Sequence, residues 1–355
     1  MSMITRIMDV SEEPINMDYI REASEILRQG GLVAFPTETV YGLGGDATDK
    51  EASRKIYAAK GRPSDNPLIV HIARFSQLED ITKDLPKTAK LLADAFWPGP
   101  LTMVVNKNEV IPHETTGGLD TVAVRMPNNP VALALIEESG CMIAAPSANT
   151  SGRPSPTKAS HVYEDLSGKI DAILDGGAVD IGLESTIVDL TEDVVTILRP
   201  GYINMDMLKE VVGEVRIDPG IVYNDKGTTV GARPKAPGMR YKHYAPKGDL
   251  TIISGEEERV VSTINSMTKE AINKGSKVGI IATSETAVRY EEGQVLIIGD
   301  RADEGSIAHN LYDILRQFDE LEVDVIYSES FATPKMGQAI MNRLLKAAGQ
   351  KTIEV

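Results

Sequence analysis

Residues 32–45 read Leu-Val-Ala-Phe-Pro-Thr-Glu-Thr-Val-Tyr-Gly-Leu-Gly-Gly. Four consecutive apolar residues closed by Pro36 predict a short buried strand. The polar run Thr37-Glu38-Thr39 then sits at the strand's carboxyl end, where open α/β sheets place ligands, and is expected to continue as a loop to Gly44. Upstream, Ile20, Ala23, Ile26 and Leu27 fall at helical spacing, predicting a helix over Met17–Gln29 that stops at Gly30-Gly31. Downstream, helices are expected at Asp49–Lys60, Lys87–Phe96 and Pro130–Glu138. Strands are expected at Leu68–Ile72, Leu101–Val105, Thr121–Arg125, Met142–Ala145, Ser185–Asp189 and Val194–Leu198. Several of these strands are joined by segments too short for a parallel crossover, so the expected fold is α/β with a mixed sheet. Beyond residue 248, four apolar strands alternate with three helices, the pattern of a small Rossmann-like sheet. It contains neither GxGxxG nor a P-loop, so this second fold brings no nucleotide site with it.

The chain has 355 residues, with 37 Lys and Arg against 52 Asp and Glu, a formal charge of −15. That length suits two domains, placed at 1–230 and 248–355. Between them, residues 231–247 (GARPKAPGMRYKHYAPK) carry five basic and no acidic residues and three prolines. Proline makes such a segment a semi-rigid strap. The segment is compatible with a solvated linker, or, with Tyr241, His243 and Tyr244 among its cations, with a strap lying over an anionic ligand. No apolar run is long enough to span a bilayer, the N-terminus lacks a secretory signal, and the single Cys141 excludes an intrachain disulfide; a cytoplasmic location is expected. With one cysteine and five scattered histidines, no structural zinc site is expected. The net charge also argues against stable nucleic-acid binding.

Polar residues collect at predicted strand ends. Lys60 and Arg62 close a helix that Gly61 and Pro63 break, which could turn both cations away from it. Asn66 and His71 flank the next strand. Arg125 ends an apolar strand, where a charge needs a partner or a ligand. Ala144-Ala-Pro-Ser-Ala-Asn-Thr-Ser-Gly152 makes a donor-rich loop directly after another strand. GxSxG is absent, so a Ser/His/Asp triad is not supported. Cations around neutral hydroxyl loops, inside an acidic domain, imply a polyanionic, phosphorylated ligand together with something small.

PTETVYGL (Pro36–Leu43), KGRP (Lys60–Pro63), NPLIVH (Asn66–His71), WPGPLT (Trp97–Thr102), VAVRMP (Val122–Pro127), PSANTSG (Pro146–Gly152), STIVD (Ser185–Asp189) and RPG (Arg199–Gly201) occur in this order. With PGMRYKHYAP (Pro237–Pro246) and GQAIMNRL (Gly337–Leu344), the set resembles the long, two-domain threonylcarbamoyl-AMP synthases, whose first domain is YrdC-like. The resemblance implies a twisted sheet with helices around a large concave cavity, followed by a linker and a Rossmann-like domain. It implies that L-threonine, bicarbonate or CO₂, and ATP with Mg²⁺ held mainly by its phosphates give threonylcarbamoyl-AMP and pyrophosphate. The product would pass to a tRNA threonylcarbamoyl transferase complex.

By the same resemblance Lys60, Arg62, Ser147 and Asn149 are catalytic. All four would line the ATP phosphate and bicarbonate region, and Lys60, Arg62 and Ser147 would bind ATP together with Asn66, Thr121, Ser155, Arg199, Tyr241 and His243. Thr39, His71, Arg125, Ala145 (through its backbone) and Ser185 would hold threonine. One departure is Asn128-Asn129-Pro130, where relatives often carry a histidine; the position is expected to be structural. Two alternatives remain: a carbamoyl transferase of the hydrogenase-maturation type, and a non-catalytic RNA-binding or ribosome-associated module.

Overall fold

Side chains alternate across an extended chain, and that alternation organises the N-terminal sheet. The computed structural model describes residues 3–219, 221, 244–331 and 335–355. It divides into two compact units. The first holds β1 (Arg6–Asp9), β2 (Val33–Phe35), β3 (Gly42–Asp46), β4 (Ile69–His71), β5 (Leu101–Asn106) and β6 (Thr121–Arg125). It continues with β7 (Ile143–Ala144), β8 (Ala172–Asp175), β9 (Thr186–Asp189), β10 (Val195–Arg199) and β11 (Val215–Ile217). They form one mixed sheet in the order β1-β8-β2-β3-β7-β4-β6-β5-β9-β10-β11.

The loop expected through Gly44 is in fact a strand from Gly42 onward, antiparallel to both β2 and β7. Its glycines are required by packing. A Cβ on Gly44 would lie 2.7 Å from the Ile143 side chain and 2.8 Å from the Phe35 ring. Glycine is a poor strand former, so propensity conceals this strand.

The central strands carry two different faces. Val70, Met103, Val105, Val122, Val124, Val188 and Ile197 belong to the main core. Their sequence neighbours Ile69, Val104, Ala123, Ile187 and Leu198 form a separate apolar cluster on the opposite face. This second face carries the candidate site.

The second unit contains Gly152–Ser155, Ile181–Leu183 and the described residues from Tyr244 to Val355. Its strands β12 (Asp249–Ser254), β13 (Val278–Thr283), β14 (Gln294–Gly299), β15 (Val325–Glu329) and β16 (Thr352–Glu354) are all parallel, in the order β14-β13-β15-β12-β16. Helices Glu257–Asn273, Glu304–Glu320 and Gly337–Ala347 connect them, giving the Rossmann-like arrangement. No helix of the described residues is long and apolar enough to cross a membrane.

Candidate active site

Register fixes which side chains share the second face. His71 pairs with Arg125 across β4 and β6, and Thr102 pairs with Arg125 across β5 and β6. Directly opposed residues point to the same side of a sheet, so His71, Arg125 and Thr102 stand on the face that also holds Ile69, Ala123 and Val104. Thr121, four residues before Arg125, is on the same face about 13 Å away at the other end of β6. Arg199 reaches this face through a bulge. Strict alternation from Val195 and Ile197 would aim it into the main core, but the register steps from Ile197↔Val188 to Arg199↔Ile187. The extra residue, Leu198, turns Arg199 over.

At one end of the face the polar side chains bond to each other. Arg125, 3 % exposed, donates from Nη1 to Thr39 Oγ1 at 2.8 Å and from Nε to the Gly99 carbonyl at 3.3 Å. Thr39 Oγ1 lies 2.9 Å from Thr37 Oγ1, which donates to the Val40 carbonyl at 2.7 Å. Arg125 Nη2 also approaches Glu38 Oε2 to 2.6 Å. Thr102 Oγ1 and Ser185 Oγ are 2.7 Å apart, and Arg199 donates to the Ser185 hydroxyl and carbonyl, both at 3.1 Å. His71 is buried edge-on against Phe35, ring centroids 5.9 Å apart, with Nδ1 3.2 Å from the Ile69 carbonyl. Burial, with the nearby Arg125 charge, pushes its pKa down to about 3, so the imidazole is neutral at physiological pH. Ala145 donates its backbone N–H to the Ile69 carbonyl at 2.8 Å, placing it beside β4.

The second group is built on a helix end. Asp49 caps helix Lys50–Lys60 by accepting from the Glu51 N–H, and Gly61 terminates it at φ 61°, a left-handed conformation that only glycine adopts without cost. Lys60, 2 % exposed, turns inward and donates to the carbonyls of Ser147 and Asn149. Ser147 Oγ donates to Asn149 Oδ1 at 2.5 Å. The loop bearing them is held by an isolated bridge between Gly42 and Ser147 and by the Ala148 N–H donating to the Tyr41 carbonyl at 2.8 Å. Arg62 donates to the carbonyls of Asn66 at 3.2 Å and Pro67 at 3.0 Å. Carbonyl oxygens are neutral acceptors for these N–H groups. Asn66 Oδ1 is buried with no hydrogen-bond donor among the described residues.

The structure therefore brings Lys60, Ser147 and Asn149 into one hydrogen-bonded group and ties Thr39 to Arg125. Ser185 and Arg199, expected on different ligands, bond to each other. Ser155 is buried and belongs to the second unit. Tyr241, His243 and the strap lie outside the described residues. A surface pocket of about 450 Å³ formed by Ile26, Leu32, Lys55, Lys169 and Asp171, among others, is lined by none of these residues. Among the described residues no three His, Cys, Asp or Glu side chains converge as a metal cage. Asn129 caps helix Pro130–Ser139 through its side chain, the structural role expected for that position. Thr37 and Glu38 were read in the sequence only as part of a ligand-placing loop, and Thr102 only within WPGPLT; none received an individual role, and their signal is adjacency to residues that did.

Fold and site together define an α/β protein with a polar sheet face and buried cations. Residues 25–201 match the Sua5/YciO/YrdC family model, described as telomere recombination, and residues 203–349 match that of the threonylcarbamoyl-AMP synthase C-terminal domain. The threonylcarbamoyl-AMP synthase of Pyrococcus abyssi is 48 % identical over 99 % of this chain and 100 % of its own, and that of Bacillus subtilis 49 % over 98 % of each. The crystal structure of P. abyssi Sua5 complexed with L-threonine covers 99 % of this chain and 100 % of its own at a TM-score of 0.92 and 48 % identity. The chain belongs to the threonylcarbamoyl-AMP synthase family.

Proposed function

We propose that the protein condenses L-threonine, bicarbonate and ATP into threonylcarbamoyl-AMP and pyrophosphate. The observation that carries this reading is the pair of buried polar groups, Arg125 with Thr39 on the sheet face and Lys60 with Ser147 and Asn149 at a helix end. Threonine's carboxylate would meet Arg125, with Thr39, His71, Ser185 and the Ala145 backbone around it. The neutral His71 can exchange hydrogen bonds there without adding charge. The free amine adds to the carbon of bicarbonate, forming a C–N bond and releasing water. An oxygen of the resulting carbamate then attacks the α-phosphorus of ATP, and the bond to the departing pyrophosphate breaks.

Both reactants of the second step are anions, so catalysis requires charge neutralisation and alignment rather than a covalent nucleophile. Lys60 and Arg62 supply the positive charge, and Ser147, Asn149, Thr121 and Arg199 supply ATP contacts. Mg²⁺ would arrive on the triphosphate and offset its charge. Asn66 Oδ1, a buried neutral oxygen lacking a donor, is a ligand type that a hard cation accepts directly or through water. We further assign the protein to the cytoplasm, and its product to a tRNA-modifying transferase.

The names of the full-length relatives favour this reading over the hydrogenase-maturation and RNA-binding alternatives. Pyrophosphate release measured with each substrate omitted in turn tests it. Release is expected only when threonine, bicarbonate and ATP are all present.

A further inference from the structure

We propose that Glu38 recognises the ammonium group of the amino-acid substrate and thereby selects α-amino acids over deaminated carboxylates. The inference rests on the reading that Arg125 receives the substrate's carboxylate. Glu38 is 5 % exposed, and neither of its carboxylate oxygens has a hydrogen-bond donor among the described residues. Arg125 Nη2 comes within 2.6 Å of Oε2 but is itself without a hydrogen-bond partner. The contact is thus an ion pair lacking hydrogen-bond geometry. An ionised carboxylate offers about four acceptor positions, and native proteins rarely bury polar atoms with such positions vacant.

The other two nitrogens of Arg125 donate to Thr39 Oγ1 and the Gly99 carbonyl. Nη2 and the Glu38 carboxylate therefore stand side by side as one unfilled donor and one unfilled acceptor, of opposite charge. An α-amino acid carries the complementary pair, a carboxylate and an ammonium on neighbouring carbons. Its carboxylate fits Nη2, and its three N–H donors fit Glu38. A ligand with the carboxylate alone would leave the Glu38 oxygens without hydrogen-bond donors and bring a second anion beside the Glu38–Arg125 ion pair, which is selection by repulsion as well as attraction.

The test uses the full chain and isothermal calorimetry with two probes: L-threonine, and (R)-3-hydroxybutanoate, which is threonine without its amine. The wild type is expected to prefer threonine by about 10- to 100-fold, the scale of a charged hydrogen bond. Glu38→Gln should weaken threonine while leaving 3-hydroxybutanoate unchanged or tighter, collapsing that ratio, and Glu38→Asp should restore part of it. A preference retained in Glu38→Gln overturns the proposal, while loss of threonine binding in Arg125→Gln shows that the subsite reading itself stands. Threonine binding absent from the wild type, or untouched by Arg125→Gln, overturns both. Should Glu38→Gln fail to fold, the wild type decides: equal affinity for the two probes contradicts the proposal, and a strong preference supports it.

Discussion

Lys60 is a long cation held almost entirely out of water, with its ammonium on two main-chain carbonyls. Burying a charge is costly unless it is well partnered, and the proposed reading gives Lys60 an anionic ligand. Lys60→Ala and Arg62→Ala are each expected to lower kcat/KM for ATP by about 100-fold or more, with the circular dichroism spectrum unchanged. Wild-type rates in both would remove these residues from the reaction. His71 makes a prediction about pH. Its folded pKa of about 3 lies below the ordinary value of 6.5, because burial and Arg125 disfavour the imidazolium. Between those values the unfolded chain binds the extra proton. The His71 contribution to stability is therefore complete above pH 6.5 and is lost progressively as pH falls towards 3. Urea titrations should show the wild type losing more stability than His71→Gln across this window; parallel curves would contradict the assignment.

At the scale of elements, sequence patterning revealed strands whose residues alternate or run apolar. Thr121–Arg125 was expected over the span observed, because Val122 and Val124 face the core and the chain is bounded by polar residues. Strand β3 was hidden, since Gly42, Gly44 and Gly45 lack the side chains by which strands are recognised. Their reason for being small lies in Phe35, Ile143 and Ala52, which only the fold brings near. Gly44→Ala is accordingly expected to destabilise the protein by about 1–3 kcal/mol in urea denaturation; no change would mean that the sheet relaxes around the methyl group. The bulge at Leu198 was equally invisible, because a one-residue insertion has no compositional signature. Yet it decides which face receives Arg199. The polar residues were legible as motifs at strand ends, but their connections were not. Glu38 stood in plain view between two threonines, and only the Arg125 side chain arriving from β6 shows why a carboxylate is there.

Over the whole molecule, two sheets meet different demands. In the second unit the buried Glu329 at the end of β15 is fully engaged by Arg301, Thr286 and Tyr290, the last donating at 2.7 Å, and such a satisfied carboxylate reads as architecture. In the first unit Glu38, Asn66 Oδ1 and Arg125 Nη2 are among the buried atoms, found in both units, that lack hydrogen-bond partners among the described residues, and the proposed reading assigns ligands to these three. The total charge of −15 makes that concentration of cations a local property rather than a general affinity for anions. The most direct measurement is pyrophosphate release from ATP with Mg²⁺ by the full-length chain. The account predicts release that requires L-threonine and bicarbonate together and disappears when either is withheld; release indifferent to both, or none with all present, would contradict it.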